Sequence, residues 1–341
     1  MLIGSDIGID LGTATVLMYV RGKGIVLREP SVVAVDKNTG RVLKVGLEAQ
    51  KMLGRTPGNI VAIRPLCDGV ISDFEMTERM LREFLRKIST FSLLKPRLLI
   101  SVPSGITEVE ERAIIDVGLQ AGARKVFLIE EPVAAAIGAG LPIEEASGRM
   151  VIDIGGGTTD IAVISLSGVV SSASIKIAGY KFDEALIKYV RKKHSILIGE
   201  RTAEDLKLNL GCVYPKKETV SVEVKGRCLL TGLPKLFKIS TDDMLEAYDE
   251  VCQQILDTIH SVLENTPPEL VADISANGIT LTGGGSLIWG FDKLIEARTH
   301  ISTQLADDAA SCVAYGTGMA LKWLGDMQEG TINLYRRKQM L

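Results

Sequence analysis

Two short stretches of the chain pair an acidic residue with glycine and threonine in a way that suits phosphate chemistry. The first is Asp10-Leu11-Gly12-Thr13, followed by Ala14 and Thr15; the second is Asp153-Ile154-Gly155-Gly156-Gly157-Thr158. Glycines let backbone N–H groups approach a polyphosphate with no Cβ in the way, and a nest of such groups binds anions. The carboxylates of Asp10 and Asp153 cannot lie against phosphate, because like charges repel. They can hold a hydrated Mg2+ that bridges phosphate oxygens. One such turn is equally an ordinary β-hairpin. Two copies about 140 residues apart form an internal repeat long enough for one lobe, and two facing hairpins would grip a triphosphate from both sides.

A third cluster, Thr282-Gly283-Gly284-Gly285-Ser286, follows a strand-like segment and precedes a helical one. Alone it is any tight strand-to-helix turn. Beside the two hairpins it reads as a floor for adenine and ribose. The chain has neither the Gly-x-x-x-x-Gly-Lys-Ser/Thr phosphate loop nor a Gly-x-Gly-x-x-Gly turn opening a βαβ unit, so P-loop and Rossmann readings fail.

The elements that must carry these turns are legible from periodicity. Residues 6–20 and 151–166 each read as strand, glycine turn, strand. Segment 74–90 repeats apolar residues at helical spacing (Met80, Leu81, Phe84, Leu85, Ile88). Further helices are expected at 106–121 and 241–264, the latter opening on a cap at Thr241-Asp242-Asp243 and ending before Pro267-Pro268. Strands are expected at 97–102, 126–129 and 278–282. Strands alternating with helices indicate an α/β architecture. Two Ala/Gly-rich stretches, 130–140 and 314–321, fall at the ends of the two halves and suit close helix crossings between them.

With 341 residues, the chain suits one bilobed unit of two related halves. A net charge of −3 leaves no basic surplus that would point to nucleic acid. The five cysteines are scattered, without a Cys-x-x-Cys, and the three histidines are far apart, so a reducing cytoplasm is expected rather than a disulfide framework or metal motif. Asp6 and Asp10 interrupt the apolar N-terminal stretch, and no run approaches the ~20 apolar residues of a membrane span. A soluble or peripheral protein is expected.

Seven stretches carry a family resemblance: DIGIDLGTAT (6–15), IEEPVAAAIGAGLP (129–142), VIDIGGGTTD (151–160), IGERTAEDLK (198–207), LTGLPK (230–235), TPPELVADI (266–274) and LTGGGSL (281–287). Together, in order and over residues 6 to 324, they resemble the MreB family of bacterial actins. The phosphate motifs belong to the wider actin, Hsp70 and sugar-kinase superfamily; the stretches at 198–207, 230–235 and 266–274 are more particular to MreB.

The resemblance implies an α/β actin-like ATPase fold, with two lobes each split into a large and a small subdomain and nucleotide in the central cleft. Lobe I would comprise residues 1–141 and helix 321–341, with its small subdomain at about 32–65; lobe II would comprise 142–320, with its own at about 181–245. ATP and Mg2+ are the implied cofactors, with Asp10 and Asp153 near the metal through its waters. Gly12, Thr13, Ala14 and Thr15 would cradle phosphate from one side, and Gly155, Gly156, Gly157 and Thr158 from the other. Glu204 and Lys207 would reach ribose and adenine, although by spacing alone they read as a surface ion pair. Gly283, Gly284, Gly285, Ser286 and Leu287 would bound the purine. Glu131 would position the attacking water, with Thr158 assisting; Glu130 beside it is the bland alternative.

Two positions depart from the family pattern: Thr15 follows Ala14 where asparagine is usual, and Asp160 stands where glutamate is usual. Both bear on hydrolysis rate more than on binding. The resemblance further implies slow ATP hydrolysis, homopolymer filaments, a peripheral place on the inner face of the cytoplasmic membrane, and membrane cell-wall synthesis proteins as partners. Leu93 and Leu94 would insert in lipid, each subunit gaining about 3–5 kcal/mol at most; capping the local core is their other reading. Stand-alone ATPases of the Hsp70 or sugar-kinase type are the alternatives.

Overall fold

The computed structural model describes residues 6–88 and 95–325. Its frame is a pair of five-stranded mixed sheets with the same topology. In the first, strands run in the order Lys125–Glu130, Arg97–Val102, Asp6–Leu11, Thr15–Val20, Gly24–Pro30. The last three form an antiparallel meander, and the other two add in parallel to Asp6–Leu11 and to each other. In the second sheet the order is Thr303–Leu305, Ile279–Thr282, Arg149–Ile154, Thr159–Ser165, Gly168–Ile175, with the same senses. The internal repeat in the sequence is therefore a repeat of topology. Each parallel addition needs a crossover, which is why helices alternate with strands after each meander.

Apolar side chains on the two faces of each sheet divide into three cores. Ile9, Leu98, Ile100 and Val126 turn to the outer face of the first sheet, where helices Phe74–Ile88 and Glu108–Gln120 cover them. Ile152, Ile161, Val163 and Leu281 pack outward against helices Gly179–His194 and Thr241–Glu264. Between the sheets lies a third core in which Leu99 and Phe127 of the first sheet share neighbours with Val151 and Ala162 of the second. The small-residue helices Glu131–Gly138 and Cys312–Ala320 cross in this central layer. Their approach is so close that a Cβ on Gly138 would lie 1.8 Å from the Cys312 carbonyl oxygen, and one on Gly316 would lie 1.8 Å from that of Ala134. Two further three-stranded sheets stand apart from this frame, one from Val33–Asp36, Val42–Val45 and Ile60–Ile63, the other from Ile196–Leu197, Ser221–Cys228 and Pro234–Ser240.

Two expectations shift at helix ends. Helix Thr241–Glu264 is capped one residue earlier than expected: the Ser240 hydroxyl accepts from the Asp243 N–H, and the Asp243 carboxylate accepts from the Ser240 N–H. The 106–121 helix begins at Glu108, because Thr107 and Glu110 form the same reciprocal cap. Leu93 and Leu94 lie outside the described residues, as does most of the 321–341 segment.

Candidate functional site

Asp10 and Asp153 sit near the C-terminal ends of equivalent strands, each followed by its glycine turn. The turns abut: a Cβ on Gly156 would lie 2.5 Å from Ala14 Cβ, and one on Gly157 would lie 2.5 Å from Thr13 Oγ1. Local hydrogen bonds fix each turn. Ser31 Oγ donates to the Gly12 carbonyl at 2.6 Å, and Gly155 N donates to the Thr158 carbonyl at 2.9 Å. Thr13 Oγ1 accepts from Gly69 N at 2.9 Å, bringing a third segment against the same point. The N-terminus of helix Gly179–His194 closes the other side, where Gly179 N and Tyr180 N donate to the Gly155 and Gly156 carbonyls.

Between the halves opens a cleft of about 510 Å³. Asp10, Gly12, Thr13, Ala14, Thr15, Glu131, Asp153, Gly155, Gly156, Gly157, Thr158, Glu204, Lys207, Gly283, Gly284, Gly285 and Leu287 all line it. Ser286 does not. Its side chain is buried and donates to the Gly283 carbonyl at 2.6 Å, so it braces the glycine turn from behind instead of facing a base. Glu204 and Lys207 are not partners of each other: Lys207 Nζ lies 2.7 Å from Asp183 Oδ2 and donates to the Gly179 carbonyl at 2.9 Å. Both ends of that ion pair are nearly buried, so the surface-pair reading of Lys207 is replaced by a buried pair holding one helix to another.

Four carboxyl groups gather at the phosphate end, and burial raises the pKa of each. Asp10 is pushed up to about 8 by burial and by the Asp153 charge, against the pull of Arg28. Asp153 is pushed up to about 7, chiefly by burial, although the Thr282 hydroxyl donates to it at 2.6 Å. Burial drives Glu131 and Asp160 both upward, and for Glu131 the Asp160 charge adds to it. Asp160 also accepts from the Ser104 N–H at 3.0 Å, which ties it to the loop after strand Arg97–Val102. A set of buried acids facing one cavity is an environment that a divalent cation would relieve. Among the described residues no three acid, histidine or cysteine groups converge closely enough to ligate one ion directly, and the donor set fits a hydrated ion held through its waters.

At the opposite end the walls are apolar and carry residues that the sequence did not single out. Leu208, Ile288 and Trp289 line the mouth with Leu287. Lys216 Nζ lies 5.1 Å and Lys293 Nζ 4.3 Å from the centre of the Trp289 ring. A signal for Trp289 was present, since an aromatic four residues after a glycine turn suits stacking on a planar ligand. Arg28, Gly69 and the Ala309-Ala310 segment also face the cleft; none carries a local motif.

The family model described as MreB/Mbl protein matches residues 4–329. This chain belongs to the MreB/Mbl family. It is 52% identical over 322 residues to the cell shape-determining protein Mbl of Bacillus cereus, covering 94% of this chain and 97% of that protein. The cell shape-determining protein MreB of Escherichia coli is 51% identical over 337 residues, covering 97% of each. Among solved structures, MreB 5 of Spiroplasma citri bound to AMPPNP superposes with a TM-score of 0.91 at 40% identity, covering 95% of this chain and 97% of that one. The fold is that of actin-like proteins, and the MreB/Mbl chain described here is a cell-shape protein of that class. No helix among its described residues is long and apolar enough to cross a membrane.

Proposed function

We propose that this MreB/Mbl chain binds ATP with Mg2+ in the cleft, hydrolyses it slowly, and assembles into filaments on the inner face of the cytoplasmic membrane, where it organises membrane cell-wall synthesis proteins. The observation that carries the reading is the meeting of the two glycine turns across one cleft that is acidic at one end and apolar at the other. Residues 1–141 with 321–341 form one lobe in this reading, and 142–320 the other. Binding of an ATP analogue to MreB 5 of Spiroplasma citri supports the choice of nucleotide.

Backbone N–H groups of Gly12 to Thr15 and Gly155 to Thr158 donate to phosphate oxygens from opposite sides. Leu287, Ile288 and Trp289 hold the purine, and Glu204 the ribose. Asp10 and Asp153 would hold Mg2+ through its waters, and the ion would supply neutralisation of phosphate charge there. Glu131, the first residue of helix Glu131–Gly138, orients a water in line with the terminal phosphorus and accepts its proton; the Thr158 hydroxyl holds that water's second contact. Such transfer needs mainly positioning and charge neutralisation.

Pelleting with Mg·ATP, with and without liposomes, tests the whole reading. Assembly with ATP is expected, and co-sedimentation with lipid should weaken when Leu93→Ser and Leu94→Ser are combined while assembly persists. Turnover without assembly over a broad concentration range would instead indicate a stand-alone ATPase, and equal lipid pelleting of the double variant would remove those leucines from the membrane contact.

A further inference from the structure

The two halves repeat each other, so the places where the repeat breaks are informative. Across the first meander Asp10 pairs with Leu17, and Leu17 pairs with Arg28. Directly opposed residues on neighbouring strands project from the same face, so these three side chains form one row leading from the metal-side carboxylate toward the sheet edge. The equivalent row of the second meander is Asp153, Asp160 and Ser174. One row thus ends in a guanidinium where the other carries a second carboxylate and a hydroxyl.

Arg28 lines the cleft, and its Nη2 donates to Ser311 Oγ, in the other half of the chain, at 2.5 Å. It is close enough to Asp10 to favour that carboxyl's ionised form. The other cations lining the cleft, among the described residues, are Lys207 and Lys216. Lys207 is committed to Asp183 and the Gly179 carbonyl, and Lys216 lies over Trp289 at the apolar end. A polyphosphate brings several negative charges to a site that already holds four acids. A guanidinium offers five donors in a fixed plane, which suits phosphate oxygens.

We propose that Arg28 is a phosphate-binding residue of the cleft, meeting the polyphosphate of the nucleotide from the first half while Ser311 holds the guanidinium in place. This rests on the nucleotide reading above. It assigns to the first half a positive charge on a strand row whose counterpart in the second half carries none.

The test is nucleotide affinity of the full chain and of three variants, Arg28→Met, Arg28→Lys and Ser311→Ala, each checked for folding by thermal denaturation. Mg·ATP binding is measured directly by calorimetry and adenosine binding by competition. Arg28→Met should weaken Mg·ATP about tenfold or more, the size expected for a charge-assisted hydrogen bond, while adenosine changes less than about twofold. Arg28→Lys should recover part of the loss, and Ser311→Ala should leave ATP affinity within about threefold, since water can replace one hydroxyl. Equal ATP affinity in all variants, or an equal loss for ATP and adenosine, overturns the assignment. So does a Ser311→Ala variant that reproduces the full loss, because Arg28 would then act as a tie between the halves. If the parent chain itself fails to bind Mg·ATP, the nucleotide reading falls and this assignment with it; a parent that binds beside an indifferent Arg28→Met removes only the latter.

Discussion

Glu131 is held in a cluster that raises its proton affinity, because burial and the charges of Asp160, Asp10 and Asp153 all disfavour its ionised form. A carboxyl in that state becomes a competent proton acceptor once a cation enters and offsets the neighbouring charges. Glu131→Ala should therefore bind Mg·ATP as the parent does but release phosphate about a hundredfold more slowly; single-turnover phosphate release measures this, and an unchanged rate would exclude the role. The same cluster predicts a pH effect on stability. Asp10 and Asp153 move from 3.8 to about 8 and about 7 in the folded chain. Folding thus favours their protonated forms, so the stability they contribute is full below pH 4 and is lost as pH rises through 7 to 8. Mg·nucleotide offsets the charges and should protect most where both groups are ionised. The rise in melting temperature on adding Mg·ATP should be larger at pH 8.5 than at pH 6, and Asp153→Asn should flatten the pH dependence of the free chain. A gain independent of pH would count against a cation-relieved acid cluster.

Helices Glu131–Gly138 and Cys312–Ala320 set the distance between the sheets, and they do so through glycines that leave no room for a methyl group. Gly316→Ala places a carbon against the Ala134 carbonyl oxygen and should destabilise the chain by about 3 kcal/mol, read by chemical denaturation. A variant as stable as the parent would mean that the helices separate freely, and that the tight crossing does not position Glu131. Periodicity identified most elements of this kind: strand Arg97–Val102 falls on its expected residues, and helix Phe74–Ile88 begins at the first residue of the segment expected to be helical. Helix ends were less legible, since a cap depends on which hydroxyl reaches which N–H. Ser240, on the strand side of the junction, does so ahead of Thr241.

Across the whole molecule, the two halves are bridged by Arg64, whose guanidinium lies 2.9 Å from Glu200 and 4.8 Å from the centre of the Tyr180 ring. Arg64 belongs to the first half, and both partners to the second. Glu200 is largely exposed, so the pair contributes at most about 1 kcal/mol. Arg64→Ala should accordingly speed nucleotide release by no more than about fivefold while leaving the apolar end of the cleft unchanged. Stopped-flow displacement of a fluorescent ATP analogue reads this, and an unchanged release rate would show that the contact does not restrain opening.

The sequence by itself determined the two phosphate turns, the acids beside them, the α/β alternation and the family. Each of these is written in residues a few positions apart, where steric freedom and periodicity act directly. Tertiary structure decided the rest. Arg28 reaches the cleft only because two strand registers align it with Asp10, Lys207 finds Asp183 on another helix, and Ser286 turns behind its own glycine turn. The first two depend on how separate strands and helices pair within one half, and the third on how a local turn is seated, none of which residue type or periodicity sets directly.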